Sequence, residues 1–345
     1  MSEAEKSRAR RWLDSLLAKA DIAILRKSTL DELVEFNRYA NSPDVSLPPG
    51  AAEVLRGDHP RLQDLISRYR DHPAAPSLWS QEFLARSLKL TTFRGDNAYI
   101  WQLRGLVKAA QYALTTHYLE KHDPLGLLDT LEEDGLFGAF TFDIDGRIVS
   151  RDLLDSVVEL NYLHQVFKAR GLDLHRPGLR FLDIGAGYGR LAHRATTAFP
   201  NLHYLCTDAV PQSTFLCDYY LTFRGAEQTQ ILPLDQVREA LLHDLQEQGP
   251  LDLAINIHSF SEAPLAAITW WIDLLAEAQV QRLLIVPNTG QDLLSTEADE
   301  ERLDFRPVIE ERGFQLENVR AKFEHSDAVQ RYGVFPSWYF LFGRG

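Results

Sequence analysis

Sulfur is scarce in this chain: 345 residues contain two cysteines, Cys206 and Cys217, and one methionine. The cysteines lie too far apart for a CxxC redox or zinc pair and are too few for a disulfide framework, so a reducing cytoplasm is the expected compartment. No run of about eighteen apolar residues occurs, which argues against a membrane span. The opening MSEAEKSRARRWLDSLLAKADIAIL has charges through its first eleven positions and no uninterrupted apolar core of the signal-peptide kind. Positive charge is in deficit as well. With 36 Lys and Arg against 49 Asp and Glu, the net charge of −13 disfavours nucleic acid or an anionic membrane as partner. The remaining composition, 45% hydrophobic and 25% charged, is that of a globular protein long enough for one large domain or two ordinary ones.

From residue 4 to about 120, apolar residues recur at three- and four-residue steps, as in Trp12, Leu16, Leu17 and in Leu62, Leu65, Ile66, predicting helices with almost no strand. DHPAAPS (71–77) is a proline-punctuated connection between helices. At FGAFTFDIDGRIVS (137–150), aromatic and β-branched residues flank Asp145-Gly146, a favoured type I′ pair, so a short hairpin is expected. Ser150 suits an N-cap and Asp152 the first turn of a helix running to about Gly171. Beyond Pro177 the rhythm becomes strand, helix, strand, helix. Strands are expected at 179–184, 202–207, 229–233, 251–256 and 282–287, with helices between them. The final segments, GFQLENVRAKFEH and VFPSWYFLFG, read as two adjacent antiparallel strands with no helix between.

FLDIGAGYG (181–189) ends a strand and places Asp183, Gly185, Gly187 and Gly189 on alternate positions. A P-loop would need Lys and then Ser or Thr after its last glycine, and Arg190-Leu191 follow instead. A dinucleotide fingerprint would need glycine at the sixth position, which is Arg190. What remains is D-x-G-x-G-x-G, whose glycines admit positive φ and let an adenosyl ligand approach the main chain, opening a helix at about Tyr188. Asp183 can accept from an ammonium or hydroxyl. Asp208, at the end of the next strand, is placed to accept from both hydroxyls of a ribose. Together these features point to S-adenosylmethionine as cofactor, with S-adenosylhomocysteine as product.

EDGLFGAF (133–140), SRDLLDSVVELNYL (150–163), FLDIGAGYGRLAHR (181–194), CDYYLT (217–222) and LDLAINIHSFSEA (251–263) together resemble the sugar O-methyltransferase family, over roughly 130–345. The resemblance implies a Rossmann-like class I methyltransferase sheet, mostly parallel with the last strand antiparallel, and a hydroxyl acceptor on a saccharide. On that basis the chain divides into a mostly helical part, 1–149, forming a lid or acceptor wall, and a methyltransferase domain, 150–345. Two alternatives stay open: methylation of an amine, carboxylate or phenol of a secondary metabolite, and a methyltransferase-like binding module without catalysis. A small saccharide or glycosylated acceptor is the expected partner, with a homodimer as the candidate assembly.

Methylation of an ordinary alcohol needs alignment of the reacting atoms and a base. His258, two residues past the fourth strand, is the first candidate, as a histidine poised near neutral pH. Glu262 has three open roles: base, partner that orients His258, or start of the helix at Ala263. His325 heads a further cluster with Ser326 and Asp327 between the last two strands, which a solvated turn explains as well. The donor is assigned to Asp183, Gly185, Ala186, Gly187, Tyr188, Gly189, Asp208, Asn256 and Ile257. Arg151, Asp152, Ser259 and Asp327 are assigned to the acceptor. Arg190 and Arg194 are expected in surface pairs on their helix. Tyr188, Tyr219 and Tyr220 are either stacking platforms or core. No compact His/Asp/Glu ligand motif supports a metal.

Overall fold

The computed structural model describes residues 46–75, 77–95 and 106–345, with side chains from 109 onward in the last stretch. The helices expected before residue 46 lie outside these residues. Within them, the first part of the chain forms α1 (Ala51–Val54), α2 (Pro60–Tyr69), α3 (Gln81–Ser87), α4 (Leu106–His122) and α5 (Leu127–Thr130). Helix α2 starts where proline fits best: Pro60 needs no N–H at the first position, and the His59 side chain accepts the Arg61 N–H at 3.3 Å. Its buried face carries Leu62, Leu65 and Tyr69. The Tyr69 hydroxyl lies 3.1 Å from the Thr214 hydroxyl and accepts the Leu234 N–H at 2.8 Å, tying α2 to the second half of the chain.

The expected hairpin is β1 (Thr141–Ile144) and β2 (Arg147–Ser150), paired antiparallel. Asp145 and Gly146 have φ of 53° and 82°, the double positive φ that a type I′ turn requires. Ser150 then caps α6 (Arg151–Lys168), its hydroxyl accepting the Leu153 N–H at 3.0 Å.

A seven-stranded sheet follows, from β3 (Arg180–Ile184), β4 (His203–Thr207), β5 (Thr229–Ile231), β6 (Leu253–Ile257), β7 (Arg282–Val286), β8 (Phe314–Ala321) and β9 (Trp338–Arg344). The spatial order is β5-β4-β3-β6-β7-β9-β8. Six strands run in one direction, five of them paired side by side, and β9 is antiparallel to both β7 and β8. This is a Rossmann-like sheet, mostly parallel with the last strand antiparallel, as the motif resemblance implies. The connecting helices are α7 (Arg190–Ala198), α8 (Pro211–Phe223), α9 (Val237–Gln248), α10 (Leu265–Glu277), α11 (Arg306–Glu311) and α12 (Asp327–Tyr332). The five strands read from the sequence fall on β3 to β7. Both β3 and β6 have neighbours on each side, and every residue of β3 is buried.

The last connection corrects the sequence reading. A six-residue helix, α12, separates β8 from β9, with the Ser326 hydroxyl accepting the Val329 N–H at 3.3 Å. Fewer than two turns leave no 3.6-residue periodicity to detect; only the cap residue marks it. Helix α7 also starts later than expected, at Arg190, with Gly189 in left-handed conformation before it.

From β3 the chain moves outward through β4 and β5, then returns to the other side of β3 as β6. The strand order therefore reverses between β3 and β6, and the crevice beyond their carboxyl ends is where an open α/β sheet takes its ligands. The apolar core is continuous from Ala51 and Leu62 to Phe342. No helix among the described residues is long and apolar enough to cross a membrane.

Candidate active site

Strand register aligns Ile184 with Thr207 on one side and Asn256 on the other. Gly185 and Asp208 consequently leave the sheet side by side, next to Ile257 at the end of β6. The Gly185 and Ala186 N–H groups both donate to the Thr207 carbonyl, at 2.9 and 3.1 Å, which turns the loop toward β4. All three glycines have positive φ, at 79°, 59° and 88°, yet their surroundings differ. A Cβ on Gly185 would collide with the Ser259 side chain, its Cβ only 2.6 Å away, and one on Gly189 would meet Leu221 Cγ at 2.9 Å and Cys217 Sγ at 3.1 Å. Those two glycines let protein approach protein. Nothing stands within 4 Å of a Cβ on Gly187, so Gly187 alone keeps open space beside its backbone.

The two acids of the motif flank this loop. Asp208 accepts the Gly187 N–H at 2.9 Å on one oxygen and the Val210 N–H at 2.8 Å on the other. Burial nonetheless raises its carboxyl to about 7. Asp183 takes the Tyr204 hydroxyl at 3.0 Å on one oxygen, the other having no partner among the described residues, and burial likewise raises it to about 7. Each acid therefore keeps its proton more readily than a free carboxyl and gains from a donor group or cation brought to it.

Three clefts open along the carboxyl edge of the sheet. The first, about 820 Å³, lies on the Asp208 side, with Val210, Phe260 and Trp271 as apolar walls and Trp79 from the N-terminal part. The second, also about 820 Å³, lies on the Asp183 side and is crowded with charge: Arg151, Asp152, Asp155, Glu159, Arg190 and Lys322. Gly185, Gly187 and Ile257 border both. The third, about 1060 Å³, is walled by Trp79, Pro287, Phe335 and Pro336 and carries Arg151, Glu262, Asn288 and Arg302. His258 is the one residue that lines all three.

His258 holds φ 69° and ψ −36°, a region costly for a residue with a side chain, while its N–H donates to the Val286 carbonyl at 2.8 Å. Its ring makes no hydrogen bond among the described residues. Burial, reinforced by the Arg151 charge, lowers the imidazole to about 3. The histidine is therefore firmly neutral and not poised near pH 7 as its reference pKa implies. Glu262 is engaged elsewhere: its carboxylate accepts the Trp79 indole N–H at 2.8 Å and the Asn288 amide at 3.3 Å, and its carbonyl accepts the Leu78 N–H at 2.9 Å. It ties the segment before α3 to the site and neither starts a helix nor contacts His258 by hydrogen bond. Burial raises its pKa.

In the charged cleft most groups are already paired. Arg190 bridges Glu159 at 2.8 and 3.0 Å, and Arg194 reaches Glu133 at 3.2 Å and the Glu132 carbonyl. Both arginines point inward from α7, contrary to the expected surface pairs, because α6 and the loop before β1 present carboxylates beneath them. Lys322 spans Asp155 at 2.5 Å and the carbonyls of Val334 and Phe335 at 3.0 and 3.1 Å. Although burial opposes it, Lys322 and Arg151 hold Asp155 below the usual carboxylate range; in Glu159 burial prevails and raises the carboxyl. Tyr188 is core: its ring packs on Phe93 and Tyr220, and its hydroxyl donates to Asp152, which also meets Arg94 at 3.4 Å. Tyr220 belongs to the same buried aromatic group, and Tyr219 meets Phe137 edge-on.

Asn256 and Ser259 brace the loop, and Ser259 also lines the first cleft. The fully buried Asn256 amide donates to the Ile184 carbonyl at 2.9 Å and the Ser259 hydroxyl at 2.6 Å, and accepts the Phe260 N–H at 3.0 Å. Ile257 and Arg151 do border the clefts, the latter bonded to Asp155 at 3.2 Å with its guanidinium 3.9 Å from the Phe335 ring centre. His325 and Asp327 are not brought to the site. Both are exposed: His325 stacks on His122 at 4.7 Å beside Glu324, and Asp327 occupies the first turn of α12. Among the described residues no group of three or more His, Cys, Asp or Glu is placed to hold a metal ion. Sequence reading missed Trp79, Glu159, Lys322, Arg302 and Phe335. Phe335 precedes Pro336 just ahead of β9 and holds φ 42° rather than the extended backbone usual before proline.

No protein-family profile matches the chain, and no curated protein sequence matches it. Solved structures do resemble it. Magnesium protoporphyrin IX methyltransferase from Synechocystis PCC 6803 with bound S-adenosylmethionine aligns at a TM-score of 0.38 and 16% identity, covering 56% of this chain and 83% of that one. Its form with bound S-adenosylhomocysteine aligns at 0.39 and 16%, covering 56% and 86%. Mitomycin 7-O-methyltransferase aligns at 0.37 and 20%, covering 56% of each.

Proposed function

We propose that the protein binds S-adenosylmethionine and transfers its methyl group to a hydroxyl of a sugar or glycosylated metabolite. The observation that carries this reading is the meeting of three clefts at His258, two of them divided by Gly185 and Gly187. The residues present fit the donor. Asp208, beside the apolar walls of the first cleft, is the acceptor for ribose hydroxyls, and those walls suit a purine. Asp183, with one oxygen unpartnered, is the acceptor for the ammonium in the second cleft. The open face of Gly187 lets the ligand pass between them.

When bound, the donor supplies a methyl on a sulfonium, so the departing sulfur is neutral and needs no acid. The chain supplies alignment and a proton acceptor. His258, neutral because burial holds it near 3, offers a ring lone pair to a hydroxyl in the third cavity. The flat walls of Trp79, Phe335 and the two prolines suit the faces of a pyranose; the motif resemblance favours the sugar over a phenol.

Calorimetric titration tests the donor assignment. S-adenosylmethionine and S-adenosylhomocysteine are expected to bind in the micromolar range, and Asp208→Asn to weaken both roughly 30-fold, as loss of charge-assisted hydrogen bonds does. No binding by the native chain would remove the enzyme reading. Release of S-adenosylhomocysteine in the presence of glycosides, phenols and amines then separates the acceptor classes.

A further inference from the structure

The third cavity is electrostatically unlike the chain that forms it. Against a net charge of −13, its lining carries two guanidiniums, Arg151 and Arg302, and one carboxyl, Glu262. That carboxyl is pinned by Trp79 and Asn288, and burial pulls it toward its neutral form. Arg302 stands out further. It follows Asp299, Glu300 and Glu301 and precedes Asp304, yet its side chain makes no ion pair or hydrogen bond among the described residues. The other arginines differ: Arg151, shared with the neighbouring cleft, is bonded to Asp155, and Arg190 in that cleft is bridged to Glu159.

The backbone that carries Arg302 is also held in place. Its loop, between β7 and α11, closes on itself through Ser295 N–H to the Leu303 carbonyl at 2.8 Å and Phe305 N–H to the Leu293 carbonyl at 2.9 Å. A guanidinium carried to a cavity mouth on a braced backbone, with no carboxylate in contact, is matched to a planar or tetrahedral oxyanion. We infer that the acceptor carries an anionic oxygen group, a carboxylate or a phosphate, and that Arg302 selects it. This deepens the methyltransferase reading and rests on it.

The same charge helps the chemistry. His258 is depressed by burial and by Arg151, Lys322 and Arg190, with Asp155 opposing. An acceptor anion lying on the cavity's guanidiniums opposes them too, lifting the imidazole toward the pH at which a base works well. Acceptor binding thereby improves the proton acceptor it needs.

The test uses the full chain saturated with S-adenosylhomocysteine and three probes: p-nitrophenyl β-glucuronide, p-nitrophenyl β-glucoside 6-phosphate and neutral p-nitrophenyl β-glucoside. Native protein is expected to bind one anionic probe about tenfold or more tightly than the glucoside, and R302Q to erase that preference while binding S-adenosylhomocysteine as before. Which anionic probe wins distinguishes carboxylate from phosphate. Arg302 is exposed, so the variant keeps its fold. Equal binding of the neutral glucoside, a preference that survives in R302Q, or no probe bound while S-adenosylhomocysteine binds would each overturn the inference. Failure of S-adenosylhomocysteine itself to bind would instead strike the methyltransferase reading.

Discussion

The loop that divides the first two clefts and the cavity beyond His258 are built on different principles. At the loop, backbone does the work: two carbonyl-directed N–H groups, three left-handed glycines and two acids held at strand ends by the register of β3, β4 and β6. Around the cavity, side chains do it, drawn from the segment before α3, the start of α6, the loops after β6 and β7, and the approach to β9. A backbone-built site is rigid because its parts share the sheet's hydrogen bonds. A side-chain-built one is set by ties such as Glu262 to Trp79 and Lys322 to Phe335, which other sequences can rearrange.

The sharpest way to separate the two regions is His258→Ala. Turnover is expected to fall between about 10² and 10⁴-fold, the usual worth of a positioned proton acceptor, while donor affinity is unchanged. Steady-state rates beside calorimetry check both halves, and undiminished turnover would leave the histidine with a structural role only.

Next in size are the glycines. Gly185→Ala should destabilise the fold by about 3 kcal/mol, combining left-handed strain with overlap on Ser259, whereas Gly187→Ala should cost about 1 kcal/mol and act mainly on donor affinity. Urea unfolding reads the first difference and donor titration the second. Equal losses of stability would mean that the open face beside Gly187 is not distinctive.

The donor side is also expected to respond to pH. Asp208 and Asp183 lie near 7, so a donor that needs their ionised forms should bind up to about tenfold more weakly per acid at pH 6 than at neutral or higher pH. Stability of the ligand-free protein moves the other way. Both carboxyls are raised above their unfolded values, so their contribution is present at low pH and lost as pH rises through about 7. Affinity measured at pH 6 and 8, with melting curves at both, tests the opposition; parallel trends would contradict it.

The smallest expected effect falls on the acceptor side. Trp79→Phe removes the indole N–H that Glu262 accepts, at a cost of about 1 kcal/mol, and is expected to raise acceptor KM about fivefold with donor affinity intact.

What the sequence disclosed follows the same division. Asp183, the three glycines, Asp208 and His258 were legible because each sits within a few residues of a strand end that periodicity locates. Their chemistry was less so. Nothing local tells that Gly185 and Gly189 accommodate Ser259 and Leu221, that Tyr188 is core, or that burial takes His258 to about 3. Arg190 and Arg194 look like surface residues of α7 until α6 and the loop before β1 are set beneath them. Arg302 and Trp79 carry no pattern at all; only the folded chain brings them to one cavity. The helix α12 was missed for its length; Asp327 is its first residue, and the exposed His325 precedes its cap, Ser326.

The most direct measurement is a crystal structure with S-adenosylhomocysteine. The expected pose runs the ligand across Gly187, with its ribose on Asp208, its ammonium at Asp183 and its sulfur facing His258. A ligand bound without contact to Asp208 and Gly187, or with its sulfur turned away from His258, would contradict it.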